Sequence, residues 1–315
     1  MAAKVFIDGE VGTTGLQIHQ RLVSRCDIEL LSIPEAHRKD PGARATCLNA
    51  ADAVVLCLPD AASREAMGLI SSAKVKIIDA STAFRTDPDW TYGFAEMSGN
   101  QRSRIRESRR ISNPGCWPTG FIALVRPLVS AGVIPPTWPV TVHGVSGYSG
   151  GGKPMIAEFE DTSDAAYTEV PFRLYGLGLG HKHVPEMQHY AGLTLPPVFS
   201  PAVGRYRQGM IVEVPLFLAG LPGRPRPADL QAVLQEAYAS EAFVRVVDTE
   251  LTTNFATLSP LSHNGTNQMS LYVFGSDNVG QARLVAVLDN LGKGAAGAAV
   301  QNLNLVLGLD ERSGL

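Results

Sequence analysis

The chain has 315 residues, of which 45% are hydrophobic and 18% charged, so it can bury a large core and its length suggests two domains. Its formal net charge is −3, and no Lys/Arg-rich tract points to a nucleic-acid partner. The N-terminus becomes charged too soon for a signal peptide, and no apolar run approaches the ~18 residues of a membrane helix. These features predict a cytoplasmic protein whose partners are small molecules and copies of itself, with no nucleic acid and no membrane.

The N-terminus predicts a strand, a glycine-rich loop and a helix. Residues 4–8 form the strand, and Leu16, His19 and Leu22 recur at helical spacing after the loop. Glycines let the backbone approach a pyrophosphate held at a helix N-terminus. The pattern therefore favours a dinucleotide site over a tight turn, at Gly9, Gly12, Thr13, Thr14 and Gly15.

The second predicted strand, residues 28–33, bears on the choice of dinucleotide. An NAD enzyme usually offers a carboxylate to the ribose 2′-hydroxyl near its end. This chain offers Ser32 and then the cations of residues 37–39, including Arg38, although Glu35 lies among them. A hydroxyl and cations suit a 2′-phosphate, so NADP is favoured over NAD; a solvated loop is the alternative.

Three further strands are predicted at residues 53–58, 76–79 and 110–112. Loops at the carboxyl ends of parallel strands bind ligands. The first two loops supply candidate residues, namely Leu58, Pro59, Ser81 and Arg85. The third strand leads to Cys116.

Cys116 lies in the run of residues 112–120, between a strand and an apolar helix with Pro118 in its first turn. Unpaired N–H groups and the dipole at a helix N-terminus favour the thiolate. Cys116 is therefore a candidate nucleophile, and a buried structural cysteine is the alternative. The cysteines at positions 26, 47 and 57 show no metal or CxxC spacing.

Residues 140–145 predict a strand that runs into a glycine-rich segment, residues 146–153. The segment matches a phosphate-binding loop up to Lys153, but Pro154 stands where such a loop needs Ser or Thr for magnesium. A backbone wall facing a substrate anion is the favoured interpretation. A flexible loop is the alternative.

Two histidines, His181 and His183, follow the glycine-rich residues 175–180, and Glu186 comes three residues later. They could ligate a metal, but no supporting cluster of Cys or His is visible, so no metal is predicted. A histidine acid or base with Glu186 as its orienting partner fits cysteine chemistry better.

Later strands are predicted at residues 210–218, 243–247, 268–274 and 281–288, with helices around 228–239 and 293–307. The fold class predicted is α/β, with a Rossmann-type dinucleotide-binding domain followed by an α+β catalytic domain whose sheet is mostly antiparallel.

The motifs together resemble the N-acetyl-gamma-glutamyl-phosphate reductase family, in the shorter of its two types and over nearly the whole chain. The motifs are Gly9-x-x-Gly12-x-x-Gly15, Ser112-Asn-Pro-Gly-Cys116-x-Pro-Thr119, Ser146-Gly147-x-Ser149-Gly150, His181-x-His183-x-Pro-Glu186 and the run from Asp289 to Asn304. The resemblance implies an NADP-binding domain over residues 1–117, completed by a C-terminal helix within 289–315, and a catalytic and oligomerisation domain over residues 118–288. It also implies homodimers or homotetramers.

The resemblance further implies NADPH-dependent reduction of N-acetyl-L-glutamyl 5-phosphate to the 5-semialdehyde and phosphate, in arginine biosynthesis. Cysteine chemistry independently supports a thioester, whose carbonyl accepts hydride more readily than that of an ester or amide. The family motif selects His181 as acid/base, with His183 second, and the Cys116 amide is a candidate oxyanion donor. The other implied site residues are Asn290 for the cofactor and Asn113, Ser146, Gly147, Ser149 and Tyr175 for the substrate. Arg85, Lys153 and Arg205 are candidates for holding phosphate or carboxylate because they follow strands or glycine-rich turns, and a surface charge is the alternative for each.

Other functions remain open from the residues alone. An aminoadipate- or aspartate-semialdehyde dehydrogenase would use the same thioester chemistry on a different acyl chain. A cysteine hydrolase would use Cys116 and His181 but would leave the glycine loop unexplained. A nucleotide-binding regulatory protein would have an unreactive Cys116.

Overall fold

The computed structural model describes residues 2–248 and 255–315. Two compact units make up the chain. Unit 1 comprises Met1–Ala95, Gly99–Gly115 and Ala295–Leu315, and unit 2 comprises Glu96–Ser98 and Cys116–Gly294. Across the described ranges, no helix combines the length and apolar character needed to cross a membrane.

Strands and helices alternate through the first third of the chain, whereas strands predominate later. The strands are β1 (Ala3–Asp8), β2 (Ile28–Leu31), β3 (Ala53–Leu56), β4 (Lys76–Asp79), β5 (Thr91–Tyr92), β6 (Arg110–Ser112), β7 (Thr141–Gly147), β8 (Phe172–Leu174), β9 (Val198–Gly204), β10 (Met210–Phe217), β11 (Val244–Val246), β12 (Met269–Ser276) and β13 (Gln281–Leu288). The helices are α1 (Thr13–Leu22), α2 (Pro41–Ala50), α3 (Asp60–Leu69), α4 (Gln101–Glu107), α5 (Cys116–Ser130), α6 (Gly152–Glu160), α7 (Val184–Ala191), α8 (Pro227–Tyr238) and α9 (Gly297–Val306).

Unit 1 contains a parallel sheet in the order β2-β1-β3-β4-β6-β5. Its central strand β3 is wholly apolar and buried, as expected for a strand covered on both faces. Ile18 and Leu22 of α1 pack in one core cluster with Val300 and Leu303 of α9. The chain passes from β1 to β2 on one side and from β3 to β4 on the other. The crevice between β1 and β3 is therefore a topological switch point, where open parallel sheets bind ligands.

Unit 2 contains a seven-stranded mixed sheet in the order β11-β12-β13-β10-β7-β9-β8. Of its six neighbouring strand pairs, counted over the described residues, four are antiparallel and two are parallel. The predicted fold class, a parallel Rossmann-type sheet plus a mostly antiparallel one, is confirmed.

Helix α5 begins at Cys116 and runs through the core of unit 2, with Pro127 inside it. Because proline has no N–H, the helix leaves the Ala123 carbonyl without its usual backbone donor. The Tyr238 hydroxyl of α8 donates to that oxygen at 2.9 Å. The hydroxyl thus compensates for the proline and links α5 to α8.

Several elements differ from the sequence-based expectation, and the following differences concern strands and the glycine-rich segment. The two-residue β5 was not predicted, so the strand expected fifth is β6. Strand β9 was missed because Pro201 interrupts its pattern; its ladder with β8 covers only residues 202–204, beyond that proline. The glycine-rich segment after residue 145 is ordered: it finishes β7, makes a 3₁₀ turn (Tyr148–Gly151) and enters α6.

Candidate active site

Cys116 is the first residue of α5 and is half-buried, so the predicted placement at a helix start is confirmed. The turn that precedes it is held within unit 1. The Asn113 N–H donates to the Asp79 carbonyl at 2.7 Å. The Asn113 side chain donates to the Ala295 carbonyl at 3.0 Å and accepts from Asn302 at 3.1 Å. In this structure, the Asn113 amide therefore fixes the chain entering Cys116.

A cavity of about 240 Å³ opens beside Cys116 in unit 2. It brings together six residues that the sequence analysis selected, drawn from α5, β7, the chain after β8 and the chain before α7. Its lining consists of Cys116, Trp117, Ser146, Gly147, Gly150, Gly151, Met155, Tyr175, His181, Lys182, His183 and Val203. Residues far apart in the sequence therefore line one cavity together with the thiol, as is typical of a binding or active site.

His181 has a defined tautomer in its neutral form. The backbone N–H of His183 donates to its Nδ1 at 3.2 Å, so the ring proton lies on Nε2. Burial lowers the pKa of His181, and the Lys182 ammonium lowers it further. At neutral pH, His181 therefore lines the cavity as a neutral imidazole that can donate a hydrogen bond from Nε2.

Aromatic rings hold His181 in place. Tyr175 and Phe199 contact it edge-on at centroid distances of 5.9 and 5.1 Å, and Trp117 meets Phe199 at 5.2 Å. Burial raises the pKa of Tyr175. Tyr175 therefore offers a protonated hydroxyl in the cavity that holds the thiol. Phe199 went unrecognised in the sequence because β9 was not predicted.

His183 and Glu186 belong to the start of α7. His183 is the N-cap residue and Glu186 lies in the first turn, and both are buried. The ring of His183 lies 4.8 Å from that of His181. Pro185 in the first turn is typical of a helix start. The helix thereby places the second histidine behind the first.

The other predicted substrate residues lie elsewhere. Ser149 is buried and accepts from Asn290 Nδ2 at 3.1 Å, while Asn290 Oδ1 accepts from the Gly209 N–H at 2.7 Å. Lys153 is exposed on α6. Arg205 is exposed and donates to the Thr168 carbonyl at 2.6 Å.

Arg85 lies in unit 1, buried, and donates to the carbonyls of Asn113 at 3.0 Å and Ala80 at 3.2 Å. Among the described residues, the cavity lining contains Lys182 in place of Arg85, Lys153 or Arg205. The sequence analysis did not select Lys182, which lies between the two histidines.

The glycine loop in unit 1 has the geometry of a phosphate cradle. Gly9 has φ +91°, and a Cβ there would lie 2.3 Å from the Cys57 carbonyl oxygen. A Cβ at Gly15 would lie 2.4 Å from the Gly9 carbonyl oxygen. Helix α1 begins at Thr13 with Gly12 as an N-cap that offers no side-chain oxygen. The loop and the helix N-terminus therefore fit a dinucleotide pyrophosphate.

The remaining cofactor candidates flank this sheet edge. Ser32 follows β2 and is exposed, and Arg38 is exposed with Nη1 3.7 Å from Glu35 Oε1. Pro59 is the N-cap of α3, directly after Leu58. Ser81 donates its hydroxyl to Asp79 Oδ1 at 2.6 Å.

A buried ion pair at the end of β1 gave no signal in the sequence. Asp8 directly precedes the glycine loop, and Arg44 Nη2 lies 2.9 Å from Asp8 Oδ2. Arg44 Nη1 also lies 3.0 Å from Glu65 Oε1. Only the fold brings these residues together, because Arg44 belongs to α2 and Glu65 to α3.

Within residues 2–248 and 255–315, no group of three or more His, Cys, Asp or Glu side chains is arranged to hold a metal ion. In the described residues, the two histidines near Cys116 are therefore not part of a group arranged to hold a metal ion.

Comparison with known proteins bears on both units. Residues 30–106 match the family model of the semialdehyde dehydrogenase NAD binding domain, and residues 116–290 match that of the semialdehyde dehydrogenase dimerisation domain. Aspartate semialdehyde dehydrogenase II from Vibrio cholerae superposes with a TM-score of 0.73 at 17% identity, covering 98% of this chain and 99% of that one. The Candida albicans enzyme with NADP superposes at 0.65 and 13% identity, with 98% and 99% coverage. These two likenesses concern the fold alone.

Two curated relatives are much closer in sequence. N-acetyl-gamma-glutamyl-phosphate reductase 2 from Nostoc sp. is 51% identical and covers 99% of each chain. N-acetyl-gamma-glutamyl-phosphate reductase from Brucella ovis is 54% identical and covers 98% of this chain and 100% of its own. With a cavity lined by Cys116, a glycine loop that fits a pyrophosphate and identity of this extent, the chain belongs to the N-acetyl-gamma-glutamyl-phosphate reductase family.

Proposed function

We propose that the chain reduces N-acetyl-L-glutamyl 5-phosphate to N-acetyl-L-glutamate 5-semialdehyde and phosphate, with NADPH as reductant, in arginine biosynthesis. The observation that carries this proposal is the cavity in which Cys116 at a helix start shares a wall with His181 and Tyr175. The family membership and the glycine cradle support it. A hydrolase would use the cavity but not the cradle.

The first step uses Cys116 alone as nucleophile. Its thiolate sulfur forms a bond to the acyl carbon, the bond from that carbon to the phosphate oxygen breaks, and phosphate leaves with the electron pair. The helix start at Cys116 favours the thiolate. The product of the step is a thioester on Cys116.

His181 serves the second step. When bound at the glycine loop, a dinucleotide would supply a hydride for the thioester carbonyl. Negative charge then develops on the substrate oxygen, towards which His181 Nε2–H donates. As the carbonyl re-forms, the carbon–sulfur bond breaks, the semialdehyde leaves and Cys116 regains its thiolate.

The other cavity residues bind and orient. Ser146, Gly147 and Tyr175 offer hydroxyl and backbone groups along the acyl chain, and Lys182 adds positive charge beside an anionic substrate. His183 donates its backbone N–H to His181, and buried Glu186 stiffens the same turn. Within unit 2, Asn290 hydrogen-bonds to Ser149 and to the Gly209 N–H and so holds the backbone beside these groups.

Residues 1–117 with a C-terminal helix within 289–315 make up the NADP-binding domain in this proposal, and residues 118–288 the catalytic and oligomerisation domain. The protein acts in the cytoplasm as a homodimer or homotetramer. The dimerisation-domain match over residues 116–290 supports an oligomer.

NADP is the proposed dinucleotide because Ser32 stands directly after β2, where an NAD enzyme usually has a carboxylate, and Arg38 follows it. The exposed Arg38 fork can bind a 2′-phosphate bidentately. Replacing Arg38 with alanine is expected to raise KM for NADPH and leave KM for NADH nearly unchanged. Equal kcat/KM for both cofactors in the unaltered protein would contradict the preference.

The experiment that tests the substrate is a comparison of three aldehydes in the oxidative direction. The purified chain, NADP⁺ and phosphate are combined with the semialdehydes of N-acetylglutamate, aminoadipate and aspartate. We expect the N-acetylglutamate compound to have the highest kcat/KM. A higher value for either of the others would assign the chain to a neighbouring semialdehyde dehydrogenase activity.

A further inference from the structure

A fully buried ion pair in unit 2 has no part in the reaction described above. Lys293 Nζ donates to Glu96 Oε1 at 2.7 Å and Oε2 at 2.8 Å, and both side chains are 1% exposed or less. The ammonium also lies 5.6 Å above the Phe243 ring. Desolvating two charges is costly, and an apolar pair of similar volume often stabilises a protein as well or better. Stability alone therefore does not explain the pair.

Lys293 lies in a π turn (Gly292–Ala296) whose next residue packs directly on the nucleophile. A methyl group placed on Gly294 would lie 2.6 Å from Cys116 Cβ and 3.1 Å from its Cα. The Gly294 N–H donates to the Asp289 carbonyl at 2.9 Å. The backbone at residue 294 thus forms the wall against which Cys116 rests.

The same short segment is fastened at its other end to the glycine-rich side of the cavity. Asp289 accepts from the Gly265 N–H at 2.8 Å, and Asn290 donates to Ser149 at 3.1 Å. The segment from residue 289 to 294 is therefore held at both ends, by Asp289 and Asn290 at one and by Lys293 at the other.

We propose that Lys293 and Glu96 are positioning residues for the nucleophile. The ion pair fixes the π turn, the turn presses Gly294 against Cys116, and the contact sets where Sγ stands relative to the acyl carbon. This inference rests on the proposed role of Cys116 as nucleophile. A misplacement of about 1 Å costs on the order of 100-fold in rate, so a contact that sets Sγ within the cavity acts on kcat.

The test replaces the pair by an apolar one of similar volume, Lys293→Met with Glu96→Leu. Either change alone would leave an uncompensated buried charge. We expect the double variant to keep its melting temperature and KM for the acyl phosphate, while kcat falls roughly 10- to 100-fold. Iodoacetamide should still alkylate Cys116 at the wild-type rate at alkaline pH, because a small reagent reacts from any direction.

The matched control is Arg102→Met with Glu311→Leu, which removes a partly buried ion pair of 2.9 Å in unit 1 and should leave kcat unchanged. If the double variant does not fold, Gly294→Ala decides, since its methyl group displaces Cys116 while the ion pair stays; kcat should again fall. Wild-type kcat in the folded double variant, or in Gly294→Ala, overturns the inference. Cys116→Ala assayed alongside separates the two proposals, because activity there would instead reject the nucleophile.

Discussion

His181 combines a half-buried neutral ring, a fixed tautomer and a place in the cavity that holds the thiol. Replacing it with asparagine removes the Nε2–H that faces the developing oxygen charge. We expect kcat to fall by roughly 10² to 10⁴, the usual scale for general acid–base catalysis, with a modest change in KM. Steady-state kinetics with NADPH and the acyl phosphate measure this.

His189 provides the control for that substitution. It is an exposed histidine in α7, outside the cavity lining, and His189→Asn should leave kcat unchanged. A larger loss of kcat in His183→Asn than in His181→Asn would show that the second histidine carries the proton.

Lys182 influences the pH dependence of the reaction through the pKa of its neighbour His181. Its ammonium disfavours the imidazolium, so it lowers the pKa of His181 in addition to burial. Protonation of His181 Nδ1 would place two N–H groups opposite each other, because the His183 N–H already donates to that atom. Activity is therefore expected only above the pKa of His181. Removing the cation raises the pKa of His181, and the acid limb of kcat should therefore move to higher pH in Lys182→Met. An acid limb that stays in place would assign it to another group.

At the scale of the elements, α5 depends on a hydroxyl from α8. Pro127 gives the buried Ala123 carbonyl no backbone donor, and Tyr238→Phe removes the hydroxyl that donates to it instead. The expected loss in the free energy of unfolding is about 1–3 kcal/mol, the cost of a buried unsatisfied polar group. Urea denaturation measures it.

A second substitution tests the physical reason. Pro127→Ala restores a backbone N–H for the Ala123 carbonyl, so the double variant Pro127→Ala, Tyr238→Phe should recover most of the lost stability. Equal losses from Tyr238→Phe with and without the proline would show that the hydroxyl acts elsewhere.

Elements with strong local patterns were predictable. Strand β4 and strand β13 have the expected bounds: β4 is an apolar pair between Lys76 and Asp79, and β13 ends in an apolar run, residues 284–288, that stops at Asp289. Strand β9 was not predictable, because a proline within a strand pattern argues against a strand. The fold accepts Pro201 because the ladder with β8 covers only residues 202–204. Helix α7 was missed because its eight residues carry no long apolar period.

At the scale of the whole molecule, motif chemistry identified Cys116, His181 and Tyr175, which the fold brings to one cavity. Spacing alone could not select among cations: Lys182 lines the cavity, while Arg205 donates to a backbone carbonyl. Glu96 lies 197 residues from its partner Lys293, so no local pattern could pair them. Long-range packing determines such partners.

The measurement that tests the central claim most directly is mass spectrometry of the chain incubated with the acyl phosphate and no reductant. Without hydride the reaction should stop at the thioester. The result expected is one N-acetylglutamyl group on the peptide that contains Cys116, with an equal amount of phosphate released, and addition of NADPH should remove the adduct as aldehyde. An adduct on Cys26, Cys47 or Cys57, or release of phosphate with no adduct formed in the unaltered chain, would contradict a reductase that works through Cys116.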